Sequence, residues 1–201
     1  MGLEHHYQDG QHKIASITTM LHSRPNPGID KWKRETPNWK EILAESNKVG
    51  RDFHTVNENY LKNQFHRLDK SLYTTKSMEL FFKLRPSLDK INNIRCQEQP
   101  MLSSSLRVAG TVDCVADYDG VLSVIDFKNS RKNKDKYMDS SGYFEQVTAY
   151  ALLFENATRI PVEQGVVMVA DWNGGVSIYE IKISSYVDRL ISVIEQYYAK
   201  K

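Results

Sequence analysis

Asp113, Asp126 and Lys128 are the residues whose types and spacing can do chemistry together. They sit in the stretch 110–128, where Asp119-Gly120 supplies the positive φ that a two-residue type I′ hairpin turn needs. With the turn there, Tyr118 faces Val121, and counting back sets Asp113 opposite Asp126. Facing residues share one side of a sheet with Cβ atoms roughly 4.5–5.5 Å apart. Two carboxylates in that relation repel, and a divalent cation between them reverses the sign of the interaction. Mg²⁺ or Mn²⁺, hard ions that prefer oxygen, suit the pair. Lys128 lies two residues past Asp126 and so points the same way. Beside metal-bound carboxylates it can orient a water and offset charge on an attacked phosphate. The plain alternative is a solvated hairpin edge, which Asp117 and Asp119 fit. Val124 and Ile125 argue instead for a central, buried strand.

The elements that must position this hairpin can be read in order. Residues 13–21 read as a short strand or the start of a helix, and Arg24-Pro25-Asn26-Pro27-Gly28 breaks what precedes it. A helix is expected from Asp30, a good N-cap. Between Trp39 and Leu61 the apolar positions Trp39, Ile42, Leu43, Val49, Phe53, Val56 and Tyr60 recur mostly at steps of three and four, the pattern of an amphipathic helix. Gly50 interrupts it at a cost of about 1 kcal/mol, and such a glycine marks a close approach by another group. Residues 71–84 read as a further helix that Pro86 ends or restarts. Residues 94–102 and 106–128 are strand-like, joined by Ser103–Ser105. Ser141 to Asn156 reads as a helix, and strands near 163–170 and 176–183 flank a Trp172–Gly175 turn. A last helix runs from Ser184, as its N-cap, to Tyr198.

The expected fold is α/β, a central mixed β-sheet flanked by helices on both faces. One domain over 1–201 is expected, with a flexible arm at 1–12, a helical part at 30–90, a catalytic sheet core at 94–183 and a C-terminal helix at 184–199. The composition agrees: 40% apolar and 26% charged residues are ordinary globular values. A net charge of +2 produces no global field for nucleic acid, so any basic signal must be local. The two cysteines, Cys96 and Cys114, read as plain thiols in a reducing compartment and are too few for an iron–sulfur cluster. No apolar run reaches the roughly 18 residues of a membrane span, and the polar first eleven residues read as neither signal nor transit peptide. His5 and His6 are expected on the arm without a metal role.

Asp113 followed by Asp126-Phe127-Lys128 resembles the core of the PD-(D/E)XK nuclease superfamily. Gly110-Thr111-Val112-Asp113 with Ile125-Asp126-Phe127-Lys128-Asn129-Ser130 is similar to its RecB-like branch. Gly50-Arg51-Asp52-Phe53-His54 resembles that branch's glycine-to-histidine helix motif, and Gln146-Val147-Thr148-Ala149-Tyr150 its Gln-x-x-x-Tyr motif. Asp113–Tyr118 and Val124–Ser130 most resemble the mitochondrial genome maintenance exonuclease family and its phage relatives, and the likeness spans roughly 14–183.

The resemblance implies that Asp113, Asp126 and Glu98 bind one or two Mg²⁺ or Mn²⁺ ions, that Lys128 assists the water, and that His54 adds a ligand or a contact. Gln146 and Tyr150 would shape the site. Glu98 can also be read as an exposed strand residue, His54 as a core-edge histidine, and Tyr150 chiefly as packing. Asn129 departs from the threonine common in the branch, at the expense of a minor hydroxyl contact. Arg131, Lys132, Lys134 and Lys136 leave the active-site strand where a nucleic-acid backbone would pass. With Ser130 and Tyr150 they are the expected nucleic-acid contacts. Tyr137, Tyr143 and Phe144 are available to stack on bases, with core packing an equal reading for Phe144.

The function expected is metal-dependent hydrolysis of single-stranded DNA ends, with duplex ends a further substrate, in replication, recombination or repair. The alternatives are a structure-specific or restriction-like endonuclease and a catalytically dead nucleic-acid-binding module. A monomer in the cytoplasm, that of a host if the protein is viral, is expected, with a mitochondrial location as the alternative. The helices at 39–61 and 71–84 hold more chain than the hairpin needs for support. They are expected either to arch over the site and admit a threaded strand or to cover one face of the sheet.

Overall fold

The computed structural model describes residues 6–9 and 12–200. In chain order it contains β1 (His6–Asp9), β2 (His12–Ala15), α1 (Ile17–His22), α2 (Pro27–Glu35), α3 (Trp39–Leu61) and α4 (Thr75–Leu88). There follow β3 (Ile91–Ser103), β4 (Val108–Tyr118), β5 (Val121–Ser130), α5 (Tyr143–Thr158), β6 (Gln164–Asp171), β7 (Val176–Lys182) and α6 (Val187–Tyr198). The strands β3 to β7 form one mixed sheet in sequence order. All neighbours are antiparallel except β5 and β6, which are parallel and joined through α5. A parallel connection needs such a crossover helix.

Two apolar layers hold the sheet. On one face Val49, Phe53 and Val56 of α3, with Leu80, Phe81, Leu84 and Leu88 of α4, pack on Cys114, Ala116, Ile125, Phe127 and Met168. On the other, Met20 of α1, Val147, Tyr150 and Phe154 of α5, and Leu190 and Val193 of α6 pack on Val115, Val124, Val167 and Val169. Phe53 and Phe81 are fully buried, so truncating either to alanine would cost about 3–5 kcal/mol. Thus the second half of α3 and α4 cover a sheet face, as one of the two expectations for these helices has it.

Several boundaries differ from expectation for local reasons. The helix expected from Asp30 starts at Pro27, because the Asn26 side chain caps the Ile29 amide at 3.0 Å. The helix expected at 71–84 is Thr75–Leu88, capped by Thr74. Pro86 neither ends nor restarts it, since near the C-terminus it removes one bond while Leu88 gains full burial. Ser184 lies in a 3₁₀ turn, Ile183–Ser185, and α6 begins after Tyr186. Residues 13–21 are both strand and helix, with Ser16 between them capping α1 through the Thr19 amide.

The arm expected at 1–12 contains β1, which pairs with β2, and Tyr7 shares a 3.0 Å hydrogen bond with the Thr111 hydroxyl. His5 and the His6 side chain lie outside the described residues. One stretch stands apart: from Leu21 to Lys48, through α2 and the first half of α3, no residue is buried. Among the described residues no helix is long and apolar enough to cross a membrane.

Candidate active site

The β4–β5 hairpin closes as its sequence dictates. Asp119 and Gly120 have φ of 48° and 86°, Tyr118 pairs with Val121, and the ladder runs back to Cys114 against Ile125. There it stops. The next residue, Asp113, accepts the Phe127 amide with its own carboxylate at 2.8 Å, in the place of a cross-strand carbonyl. The alternation of β4 breaks at the same point: Val112 and Val115 belong to the α5-side core, Cys114 to the α3-side core. In β5, Val124 lies on the α5 side while Ile125 and Phe127 lie on the α3 side, which sets Asp126 and Lys128 on the α5 side. The Asp113 carboxylate stands at the fork between the two strands.

On the α3 side of the fork three side chains converge. His54, Glu98 and Asp113 each offer one ligand atom, and these atoms lie within 4.8 Å of one another. His54 Nδ1 is 3.4 Å from Asp113 Oδ2. Glu98 sits on β3 between the Gln97–Cys114 and Gln99–Val112 pairs, level with Asp113. Its φ is 46°, a conformation costing a non-glycine residue about 1–3 kcal/mol, of the kind that collects at functional sites. Half-burial first, and then the Asp113 charge, push the Glu98 carboxyl up to about 7. Burial also works to raise Asp113, but His54, Lys128 and the Phe127 amide outweigh it and hold Asp113 below its ordinary value. Burial works to lower His54, but the charge and hydrogen bond of Asp113, together with the Asp126 charge, hold it above its ordinary value.

On the α5 side lies an ion pair. Lys128 Nζ is 2.7 Å from Asp126 Oδ1 and 2.6 Å from Oδ2. Only the first contact has hydrogen-bond geometry, so the fully buried Oδ2 has no donor of its own. Burial, offset by Lys128 and reinforced by Asp113, raises the Asp126 carboxyl to about 6. Lys128 remains an ammonium: burial lowers its pKa, but Asp126 and Asp113 together raise it further. Tyr150 is buried behind the pair and its hydroxyl accepts from Gln146 Nε2 at 3.0 Å. A Cβ at Gly110 would stand 2.6 Å from the Tyr150 ring, so the glycine of the β4 motif makes room for the tyrosine of the α5 motif.

The group closest together is therefore His54, Glu98 and Asp113, with Asp126 beside it and held by Lys128. Two carboxylates and an imidazole, next to a buried carboxylate oxygen lacking a donor, fit a hard divalent cation.

The basic run is divided in its use. Arg131 donates to the Ser46 hydroxyl at 2.8 Å, pairs with Glu45 and lies 4.0 Å over the Trp172 ring, tying β5 to α3. Ser130 donates to the Lys132 carbonyl at 2.7 Å. Lys134 donates to the Tyr143 hydroxyl at 2.7 Å, and Lys132 and Lys136 are exposed. The Tyr143 ring carries both Lys134 and Lys128, at 5.0 and 5.1 Å.

Two residues acquire roles that the sequence reading did not give them. Asn129 is the neighbour that requires Gly50, since a Cβ there would stand 2.9 Å from its Oδ1. Arg51, one turn before His54, lines with it, Glu98 and Asn129 a cavity of about 460 Å³. The i, i+3 spacing of the helical motif was the available signal.

Residues 21–185 match the sequence profile of the PD-(D/E)XK nuclease superfamily. The chain is 26% identical over 175 residues to human mitochondrial genome maintenance exonuclease 1, covering 80% of this chain and 50% of that protein. It is 28% identical over 154 residues to the Xenopus tropicalis protein of the same name, covering 73% and 44%. The chain thus spans about half the length of these curated relatives. A crystal structure from Eubacterium rectale, described as a candidate exonuclease, shares the fold with a TM-score of 0.52 at 11% identity, over 76% of this chain and 65% of that one.

Proposed function

Because the chain belongs to the PD-(D/E)XK nuclease superfamily, we propose that it is a metal-dependent exonuclease hydrolysing DNA from single-stranded ends. The observation that carries this is the fork between β4 and β5, where His54, Glu98 and Asp113 meet beside the Asp126–Lys128 pair. The names of the curated relatives support exonuclease rather than endonuclease action, and with it a role in DNA replication, recombination or repair.

Asp113, Asp126 and Glu98, with His54, would hold one or two Mg²⁺ or Mn²⁺ ions. When bound, a divalent cation supplies Lewis acidity and favours the ionised form of the surrounding carboxylates. The protein's own groups do the rest. The Phe127 amide fixes the Asp113 carboxylate, so this ligand is oriented before anything binds. Lys128, kept protonated by two carboxylates, presents a positive charge to a water and to the phosphate oxygens as charge builds on them. Burial of Asp126 removes competing water from its free oxygen. Tyr150 and Gln146 fix the wall against which the pair rests.

The test is digestion of one single-stranded DNA in linear end-labelled and circular forms, with Mg²⁺ and with a chelator. Linear DNA should be degraded only with the metal, and the circle spared. Equal degradation of both forms would make the enzyme an endonuclease with the same chemistry, and no metal-dependent cleavage of either would end the nuclease reading.

A further inference from the structure

The unburied stretch 21–48 has a feature that folding does not explain. Helix α2 has no buried residue, yet Ile29 and Trp32 are spaced as one apolar side and both line a cavity of about 1030 Å³. That is at the top of the roughly 300–1,000 Å³ range of small-molecule pockets. Tyr137, 67% exposed, and Tyr143 line it too. Lys134 lines the cavity and donates to the Tyr143 hydroxyl, while Lys128 of the candidate active site lies over the same ring. Glu145 lines it too. It is 1% exposed, and although Arg189 holds its Oε1 at 2.9 Å, its Oε2 is buried without a donor.

We propose that this cavity is a nucleotide subsite: it receives the nucleotides on one side of the scissile phosphate, stacking bases on Trp32 and Tyr137. The proposal rests on the nuclease reading and deepens it. Exposed aromatic rings lining one cavity are platforms that any base can use through its π-face. The Lys134 ammonium supplies the charge that a phosphate backbone needs. Stacking uses the π-face that every base has, so this contact is tolerant of sequence. In this arrangement α2 gains its apolar partner only when the strand is bound.

The test uses tryptophan fluorescence in an Asp113→Asn background, so that the strand is not consumed. Adding a short oligothymidylate with Mg²⁺ should quench emission, and the added substitution Trp32→Phe should remove that quench while leaving the thermal unfolding curve unchanged. In the active enzyme, Trp32→Ala and Tyr137→Ala should each raise KM roughly tenfold, as loss of one stacking contact does, change the length distribution of end-labelled products, and leave kcat near its starting value. Quenching of equal depth with Trp32 replaced, or no quenching at all, would overturn the subsite. So would a dimer in sedimentation that Trp32→Ala dissolves, because the apolar side of α2 would then belong to a second copy of the chain. Cleavage by the unsubstituted enzyme is scored separately, so quenching without cleavage would remove the nuclease reading and keep the cavity as a single-strand site.

Discussion

The two sides of the β4–β5 fork use the same residue type in opposite ways. On the α3 side, Asp113 is tied to a backbone amide and a histidine and is held in its ionised form. On the α5 side, Asp126 is fully buried against one lysine and takes up a proton near pH 6. His54 keeps 29% of its side chain exposed beside Glu98 and Asp113, whereas Asp126 is fully buried against Lys128 with one oxygen lacking a donor. A site built this way has one half that admits the ion and one half that gains a partner when it arrives. The difference also means that equivalent substitutions should not have equivalent costs.

The largest contrast is expected from Asp113→Asn and Asp126→Asn. Both should lose more activity than the roughly 10–100-fold that removal of an outer-shell partner costs. Their stabilities should diverge. At neutral pH Asp126→Asn removes a carboxylate whose ionised form burial and the Asp113 charge disfavour in the fold, so its unfolding midpoint in urea should hold or rise. Asp113→Asn removes a carboxylate that His54, Lys128 and the Phe127 amide hold ionised against burial, so its midpoint should fall. Equal destabilisation would show that the two sides do not differ. Lys128→Met should come next: single-turnover cleavage falls about 10²–10³-fold while affinity for single-stranded DNA is kept. Lost affinity with an unchanged rate would make Lys128 a phosphate anchor.

A smaller effect should appear with pH. Glu98 and Asp126 are raised to about 7 and about 6, so the metal-free folded chain holds protons there that the unfolded chain has lost. Their contribution to stability is therefore present at low pH and declines as pH rises from about 4 to 7. Metal binding runs the other way, because these protons, and that of His54, must leave first. Affinity for Mn²⁺ measured by calorimetry should climb between pH 5 and 8, by up to about tenfold per unit for each proton released. Glu98→Gln should flatten the part of the climb near pH 7. A flat profile in the unsubstituted protein would remove Glu98 from the ligand set.

How much of this was legible depends on the range of the forces involved. The hairpin was, because Asp119-Gly120 fixes the turn and the turn fixes the register to Cys114 and Ile125. The helix at Trp39–Leu61 was, because its apolar spacing is strong. The lost pairing beyond Cys114 was not: it depends on a side chain taking a backbone partner, which no spacing rule records. Likewise Gly50 announced a close approach, but only packing identifies Asn129 as the neighbour. The repulsion between the facing carboxylates was legible, and the Asp113 charge is among the causes that raise Asp126. The Lys128 pairing that offsets part of it was invisible in one dimension beyond a shared strand face.

The smallest expected effect concerns the basic run, which the sequence presents as one feature and the fold divides. Arg131 spends its guanidinium on Ser46, Glu45 and the Trp172 ring, so it holds the first half of α3 to the end of β5. Lys132 and Lys136 stand in solvent and keep their charge free for a phosphate. Arg131→Ala should therefore lower stability by about 1 kcal/mol through lost packing and a lost charged hydrogen bond, with little change in the salt dependence of DNA binding. Lys132→Ala and Lys136→Ala should leave the unfolding midpoint in place and each reduce the slope of log affinity against log salt by about 0.7, the value for one phosphate contact on a single strand. Titrations of labelled single-stranded DNA at several salt concentrations, paired with urea unfolding, separate the two behaviours. If Arg131→Ala changes the slope and the lysine variants do not, the strand passes along α3 and the 460 Å³ cavity beside Arg51 rather than over the loop that follows β5.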